Sequence, residues 1–227
     1  PKRKRGTITT YTASSFVTVW AKHSDDDSAV YADPTRYGIV AVLDDDKPSD
    51  GGARWREHRI ELALTKTPAW LAWEKRNNVL GEQSAFAEHV EARLPDFVTP
   101  DGATMLEIAQ TFQAKSAVQF TSGRRLSTGE TQLAYVEQTD AKAGSRGNLD
   151  IPSELVLGLT PFEGAAGYRV TARLRYRISP DGLRIGYVLD RPEDVLRAAF
   201  DDVVDTVATG TDRDVILGHP PRGEQLR

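Results

Sequence analysis

The chain has no cysteine, which excludes a disulfide framework and a thiolate zinc site. Its four histidines, His23, His58, His89 and His219, are scattered without metal-ligand spacing and are expected at the surface or in loops. No apolar run approaches the roughly 20 residues of a membrane-spanning helix, and no secretory signal pattern is present. An excess of positive charge is also missing. The 227 residues carry a formal net charge of -4, so no global field draws the chain toward nucleic acid or acidic membrane. Any such binding must come from a local patch. There is no phosphate loop, dinucleotide fingerprint, His-Glu-x-x-His stretch or Gly-x-Ser-x-Gly elbow. No residue is therefore assigned a catalytic or metal-binding role, no cofactor is expected, and enzymatic activity is not the favoured reading.

What is present begins with composition. Hydrophobic residues at 39% and charged residues at 27% fit a soluble globular protein with a proper core. The absence of cysteine fits a cytoplasmic location. The chain opens at Pro1 rather than Met, which predicts that residues upstream are missing or were removed. Lys2-Arg3-Lys4-Arg5 forms a short basic cluster that reads as a solvated arm, as a nucleic-acid contact or as a targeting signal.

The clearest pattern runs from Tyr168 to Leu189. Tyr168, Val170, Ala172, Leu174, Tyr176 and Ile178 alternate with Arg169, Thr171, Arg173, Arg175 and Arg177. A period of two marks a strand with one buried and one wet face. Ser179-Pro180-Asp181-Gly182 is turn chemistry, and Leu183, Ile185, Tyr187 and Leu189 resume the alternation. The segment predicts a β-hairpin with an apolar face and an arginine face.

Other elements follow from the same rules. Gly6–Tyr11 reads as a strand or an extended arm, and Thr12 as the cap of a helix carrying Phe16, Val17 and Trp20 and ending near His23. The acidic runs Asp25-Asp26-Asp27 and Asp44-Asp45-Asp46 flank two strands, 29–32 and 37–43, joined by the turn Asp33-Pro34-Thr35-Arg36. The first run is expected to be a solvated loop. His58–Leu64 is a further strand. Thr67-Pro68 starts a helix with Trp70 and Trp73, whose indoles read as core or as a base-stacking pair. A second helix carries Phe86, Val90 and Leu94 on one face, and Asp101 caps a third with Met105, Leu106, Ile108, Ala109 and Phe112.

Strands return near Val118–Phe120, where Ser122-Gly123 breaks the run, and at Thr131–Glu137, with Ala141–Asn148 as a loop. Leu155–Leu159 leads to the arginine hairpin. Asp190-Arg191-Pro192 then starts a long apolar-striped helix closed by Gly210, and Val215-Ile216-Leu217 is a terminal strand. This order predicts an α+β fold: a mixed or antiparallel sheet, a helical cluster in the N-terminal half, an antiparallel hairpin and a C-terminal helix. One domain spans 1–227, or two intimately packed lobes, 6–115 and 116–227.

Two chemical readings remain. Asp44 at a strand end and Glu61 in the next strand could begin a magnesium-dependent nuclease site, but the lysine such a site wants appears only as Lys66, beyond the strand. The stronger feature is the arginine face: Arg169, Arg173, Arg175 and Arg177, with Arg184 on the corresponding side of the return strand. Side chains two apart on a strand lie about 7 Å apart, close to phosphate spacing along a nucleic-acid strand. Such a face can bind phosphates, pair with internal acids, or bury itself in a subunit interface.

The segments Ser15-Phe16-Val17, Thr67–Trp73 (TPAWLAW), Gln83–Glu88 (QSAFAE), Pro100–Leu106 (PDGATML), Ala172–Arg177 (ARLRYR), Asp190-Arg191-Pro192 and Ala199-Phe200 resemble the YfdQ-like family of phage and prophage proteins, mycobacteriophage-type members above all. The likeness spans nearly the whole chain and transfers no catalytic residue. It implies a phage-encoded protein in the cytoplasm of the bacterial host. With the arginine hairpin, it predicts an accessory protein that forms a homo-oligomer and binds DNA or RNA, without membrane association. A self-assembling ring, tube or shell protein and a metal-dependent nuclease are the alternatives.

Overall fold

Cap and turn chemistry sets most element boundaries in the computed structural model, which describes residues 4–46, 52–125, 131–143, 149–179 and 182–221, with the backbone alone at 113–125, 131–142 and 179. The predicted α+β layout holds, and its strands divide between two five-stranded sheets and a separate two-stranded hairpin. The chain forms two compact units, one of Pro1–Leu71, Leu159–Tyr168 and Arg191–Arg227, the other of Ala72–Gly158 and Arg169–Asp190. Residue 115 lies within the second unit. No helix among the described residues is long and apolar enough to cross a membrane.

The first unit holds a mixed sheet of β1 (Gly6–Thr10), β2 (Ala29–Asp33), β3 (Gly38–Val42), β4 (His58–Ala63) and β12 (Val215–Leu217), in the order β1-β4-β3-β2-β12. The 33–36 turn works as predicted, with Asp33 accepting from both the N–H and the hydroxyl of Thr35. The apolar strand β3 is central, and Ile39, Ala41 and Val42 are fully buried. Thr12 caps α1 (Ala13–His23) by accepting from the Ser15 N–H. Phe16 and Trp20 of α1 are buried, and the helix packs against β4 and α5 (Pro192–Thr211).

Three expectations change in this unit. Gly210 does not close α5 but lies inside it, where an added Cβ would stand 2.5 Å from Val17 Cγ2. The glycine lets α1 and α5 approach closely, and the helix ends instead at Asp212 in the left-handed region, φ 52°. Its N-cap is Arg191, φ 41°, with no side-chain cap bond. Asp190 stands one residue before the cap position and ends the strand instead, its N–H donating to Thr171 O.

The Asp25–Asp27 run is not a free solvated loop either, and the Asp44–Asp46 run is engaged in the same way. Arg54 bonds Asp25 at 2.9 Å and reaches Asp27 at 3.8 Å, while Arg56 meets Asp45 and Asp46 at 2.6 Å each. Hydrogen bonds from Arg54 hold the Asp25 carboxyl below its usual range. Burial alone would raise Asp45; bonds from Arg56, the Asp46 N–H and Tyr31 outweigh it and hold Asp45 low. The 47–51 part of the predicted loop lies outside the described residues.

The second unit holds the other sheet: β5 (Gly81–Glu82), β6 (Phe97–Thr99), β9 (Glu154–Leu159), β10 (Tyr168–Ser179) and β11 (Gly182–Leu189), ordered β5-β11-β10-β9-β6. Between β6 and β9 come α4 (Gly102–Thr111), capped by Asp101 at the Thr104 N–H, and the hairpin of β7 (Gln113–Arg125) and β8 (Thr131–Lys142). The ladder of that hairpin shifts register between Thr121 and Arg124, where Ser122-Gly123 predicts a break.

Helix α2 (Pro68–Lys75) starts as predicted, with Thr67 Oγ1 accepting from the Trp70 N–H. Both tryptophans are core, 1% exposed, which removes them as a base-stacking pair. In the second unit the Trp73 ring stands 4.8 Å from His89 and from Tyr187 and 5.4 Å from Phe97, and its Nε1–H donates to Asp96. His89, on α3 (Gln83–Ala92), is therefore buried rather than at the surface. Leu94 falls in a 3-10 turn (Leu94–Asp96) after α3 ends.

Candidate nucleic-acid interface

Strands β10 and β11 pair antiparallel from Ala172 opposite Leu189 to Ser179 opposite Gly182, so the hairpin register is the one the alternation requires. Pro180 and Asp181 lie outside the described residues. Val170, Ala172 and Leu174 on one strand, and Ile185, Tyr187 and Leu189 on the other, are buried. Arg169, Arg173, Arg175 and Arg177 are exposed on the opposite face. Arg184 pairs directly with Arg177, which puts the two guanidinium stems on the same side of the sheet.

The electrostatics of this face are poorly satisfied. Arg173 reaches Asp190 at 3.8 Å and Arg184 reaches Glu82 at 3.9 Å, with every side chain in these pairs more than two-fifths exposed. Ion pairs of this kind contribute about 0–1 kcal/mol. Among the described residues, Arg169, Arg175 and Arg177 make no ion pair with an acid. Like charges placed directly opposite across two strands repel, so the Arg177–Arg184 position is a cost that an anion would relieve. Arg54 and Arg56, held at 2.6–2.9 Å by the acidic runs, show what satisfied arginines look like in this chain.

Next to the arginines the surface is not purely polar. Gly186 lies opposite Arg175 on the same face. A Cβ there would stand 2.2 Å from the Val79 carbonyl oxygen, so only glycine lets the segment after α2 cross this close to the sheet. Asn77 and Asn78 fix the crossing: Asn78 N–H donates to Tyr187 O at 2.9 Å, and Asn77 Oδ1 accepts from Leu189 N–H at 2.8 Å. Asn78 takes the left-handed conformation, φ 62°. Between this crossing and β10 runs a groove of about 370 Å³, lined by Asn78, Leu80, Arg175, Tyr176, Arg177, Tyr187 and Val188. Nothing in the local sequence of 77–81 announces this crossing. The one available signal is Gly186 itself, a position on the arginine side of the alternation that carries no side chain.

The remaining candidates are dispersed. Both carboxylate oxygens of Asp44 accept backbone N–H groups, from Glu57 and His58, and Glu61 is exposed on β4. Among the described residues no group of three His, Asp or Glu side chains could hold a metal ion. Lys4 and Arg5 of the basic arm are exposed, while Pro1–Arg3 lie outside the described residues.

No curated protein and no solved structure matches the chain. A family model described as uncharacterized conserved protein (DUF2303) matches residues 1–220, and the chain belongs to that family.

Proposed function

We propose that this is a phage-encoded, non-enzymatic accessory protein of the host cytoplasm that binds nucleic acid through the arginine face of β10 and β11 and self-associates. One observation carries the binding half. Five arginines share one face of the β10–β11 ladder, and Arg169, Arg175 and Arg177 lack an acidic partner among the described residues. A guanidinium fork suits phosphate oxygens, and placement on a strand fixes the spacing without further ordering cost. The sequence likeness to YfdQ-like phage proteins supports the phage and host assignments.

The test is fluorescence anisotropy with labelled DNA and RNA across a salt series. Affinity should fall steeply with salt, and the triple variant Arg173→Ala, Arg175→Ala, Arg177→Ala should flatten the log–log slope by about 2–3. Binding unchanged in the triple variant overturns the reading.

Self-association is supported by β12, which among the described residues pairs only with β2 and exposes Ile216 at 48% and Leu217 at 69%. An apolar strand at a sheet edge is a template for pairing with another chain. Light scattering on the pure protein should show a mass above one chain, reduced by Leu217→Lys. A monodisperse monomer removes this half.

A further inference from the structure

We infer that the nucleic acid taken by the arginine face is single-stranded, and that the groove beside Arg175 and Arg177 receives one of its bases. This deepens the reading of the face as a nucleic-acid interface and rests on it.

Phosphate binding alone has no use for an apolar wall, yet the groove has one. Leu80 is 40% exposed and Val188 is half-buried within it, and Val79, 55% exposed, belongs to the same crossing segment. Water-exposed leucine and valine next to two cations without acidic partners form an amphiphilic site, complementary to a ligand that is anionic on one side and flat and apolar on the other. A nucleotide is such a ligand. The volume of about 370 Å³ lies at the small end of ligand pockets and suits a single base with its sugar. Asn78 adds specificity chemistry: its side-chain amide is exposed and makes no hydrogen bond among the described residues, so it can donate to and accept from a base edge.

The geometry favours a single strand over a duplex. In a duplex each base is stacked and paired, and bringing one into a notch requires flipping it, at a cost of a few kcal/mol. A single strand presents its bases without that cost. The cations also run in a line along one extended β-strand, each about 7 Å from the next at positions two apart. An extended chain of nucleotides can follow that line, with phosphates on Arg173, Arg175 and Arg177 and a base turned toward Leu80.

The experiment compares four ligands at one salt concentration by anisotropy: an oligothymidine, the same strand with abasic sites, the corresponding RNA strand, and a duplex of equal length. Wild-type protein should bind the intact strands about tenfold more tightly than the abasic strand, the order expected from burying about 50 Å² of apolar surface between a base and Leu80, and more tightly than the duplex. The DNA and the RNA strand should each bind more tightly than the duplex, since both present unpaired bases; a duplex that binds more tightly than both counts against the groove. Leu80→Ser, at an exposed position, should bring intact and abasic strands to equal affinity while retaining the salt-dependent, phosphate-driven part. Equal binding of intact and abasic strands by the wild type, or preference for the duplex, overturns this inference and leaves the arginine-face reading standing. No binding of any ligand overturns both.

Discussion

Acidification from about pH 7 to about pH 4 should destabilise the second unit by about 3 kcal/mol through one side chain, His89. The ring is 8% exposed, edge-on to Trp73 at 4.8 Å and near-parallel to Tyr187 at 5.8 Å, with its Nε2 3.4 Å from the Tyr187 hydroxyl. Burial first, and then the positive Arg76 and Arg93, lower its pKa from 6.5 to about 4. In the unfolded chain the imidazole binds a proton near its ordinary pKa, so between these limits the unfolded state holds the extra proton. The stability is fully present above about pH 6.5, falls through the window, and is lost once pH drops below about 4. The interval from 6.5 to about 4, at 1.36 kcal/mol per pH unit, sets a ceiling of about 3.4 kcal/mol, of which about 3 is lost by about pH 4, where the folded ring is half protonated.

The carboxylates of Asp25, Asp45 and Asp101 are lowered from 3.8, so their contribution is lost only below that value and does not confuse the window. His58, also lowered by burial, does titrate there, which is why the assay needs a variant. Urea unfolding of wild type and His89→Gln at about pH 7 and about pH 4.5 supplies the double difference. Wild type should lose most of 3 kcal/mol more than the variant. Parallel losses in the two proteins would refute the assignment of a neutral, buried His89.

Three substitutions probe close approaches and helix ends. Gly186→Ala forces its Cβ onto the Val79 carbonyl, a backbone atom, and should destabilise by about 1–3 kcal/mol in urea unfolding. Gly210→Ala meets Val17 and should lower the unfolding midpoint despite the better helix propensity of alanine; Val17→Ala in the same chain should recover most of the loss, and failure to do so would place the strain elsewhere. Asp212→Gly removes a left-handed residue and a carboxylate from the negative end of α5, and should stabilise by about 1 kcal/mol, read as a raised urea midpoint.

Much of the fold is legible because it is written in short-range pattern. The alternation from Tyr168 to Leu189 specifies both faces of the hairpin, and Thr12, Thr67 and Asp101 announce three helices by the same hydroxyl or carboxylate cap. What escapes is chemistry between distant positions. The first acidic run looks solvated, and neither run shows its partner locally: Arg54 stands 29 residues from Asp25 and Arg56 11 from Asp45. His89 could have been read as core, since Phe86, His89 and Val90 fall at the helical spacing of one face. The arginines are visible in sequence, but the groove is not, because its second wall comes from residues 78–80, about a hundred positions away from Arg175 and Arg177.

An acidic chain can still present a cationic face, because charge acts locally under physiological salt. The screening length there is about 8 Å, so a ligand on β10 responds to the arginines it touches and little to acids farther away. What decides the sign of the surface is therefore how many cations are already neutralised by their neighbours. In the first unit the acidic runs absorb Arg54 and Arg56 through short, part-buried contacts. On the β10 face only two ion pairs form among the described residues, both long and exposed, and the strand register sets Arg177 against Arg184. The same residue type thus serves two ends in one chain: where carboxylates are close it fastens loops, and where the sheet holds it in line without them it leaves a phosphate-spaced row of charge. The net charge of -4 is the sum over both situations, and it predicts the behaviour of neither.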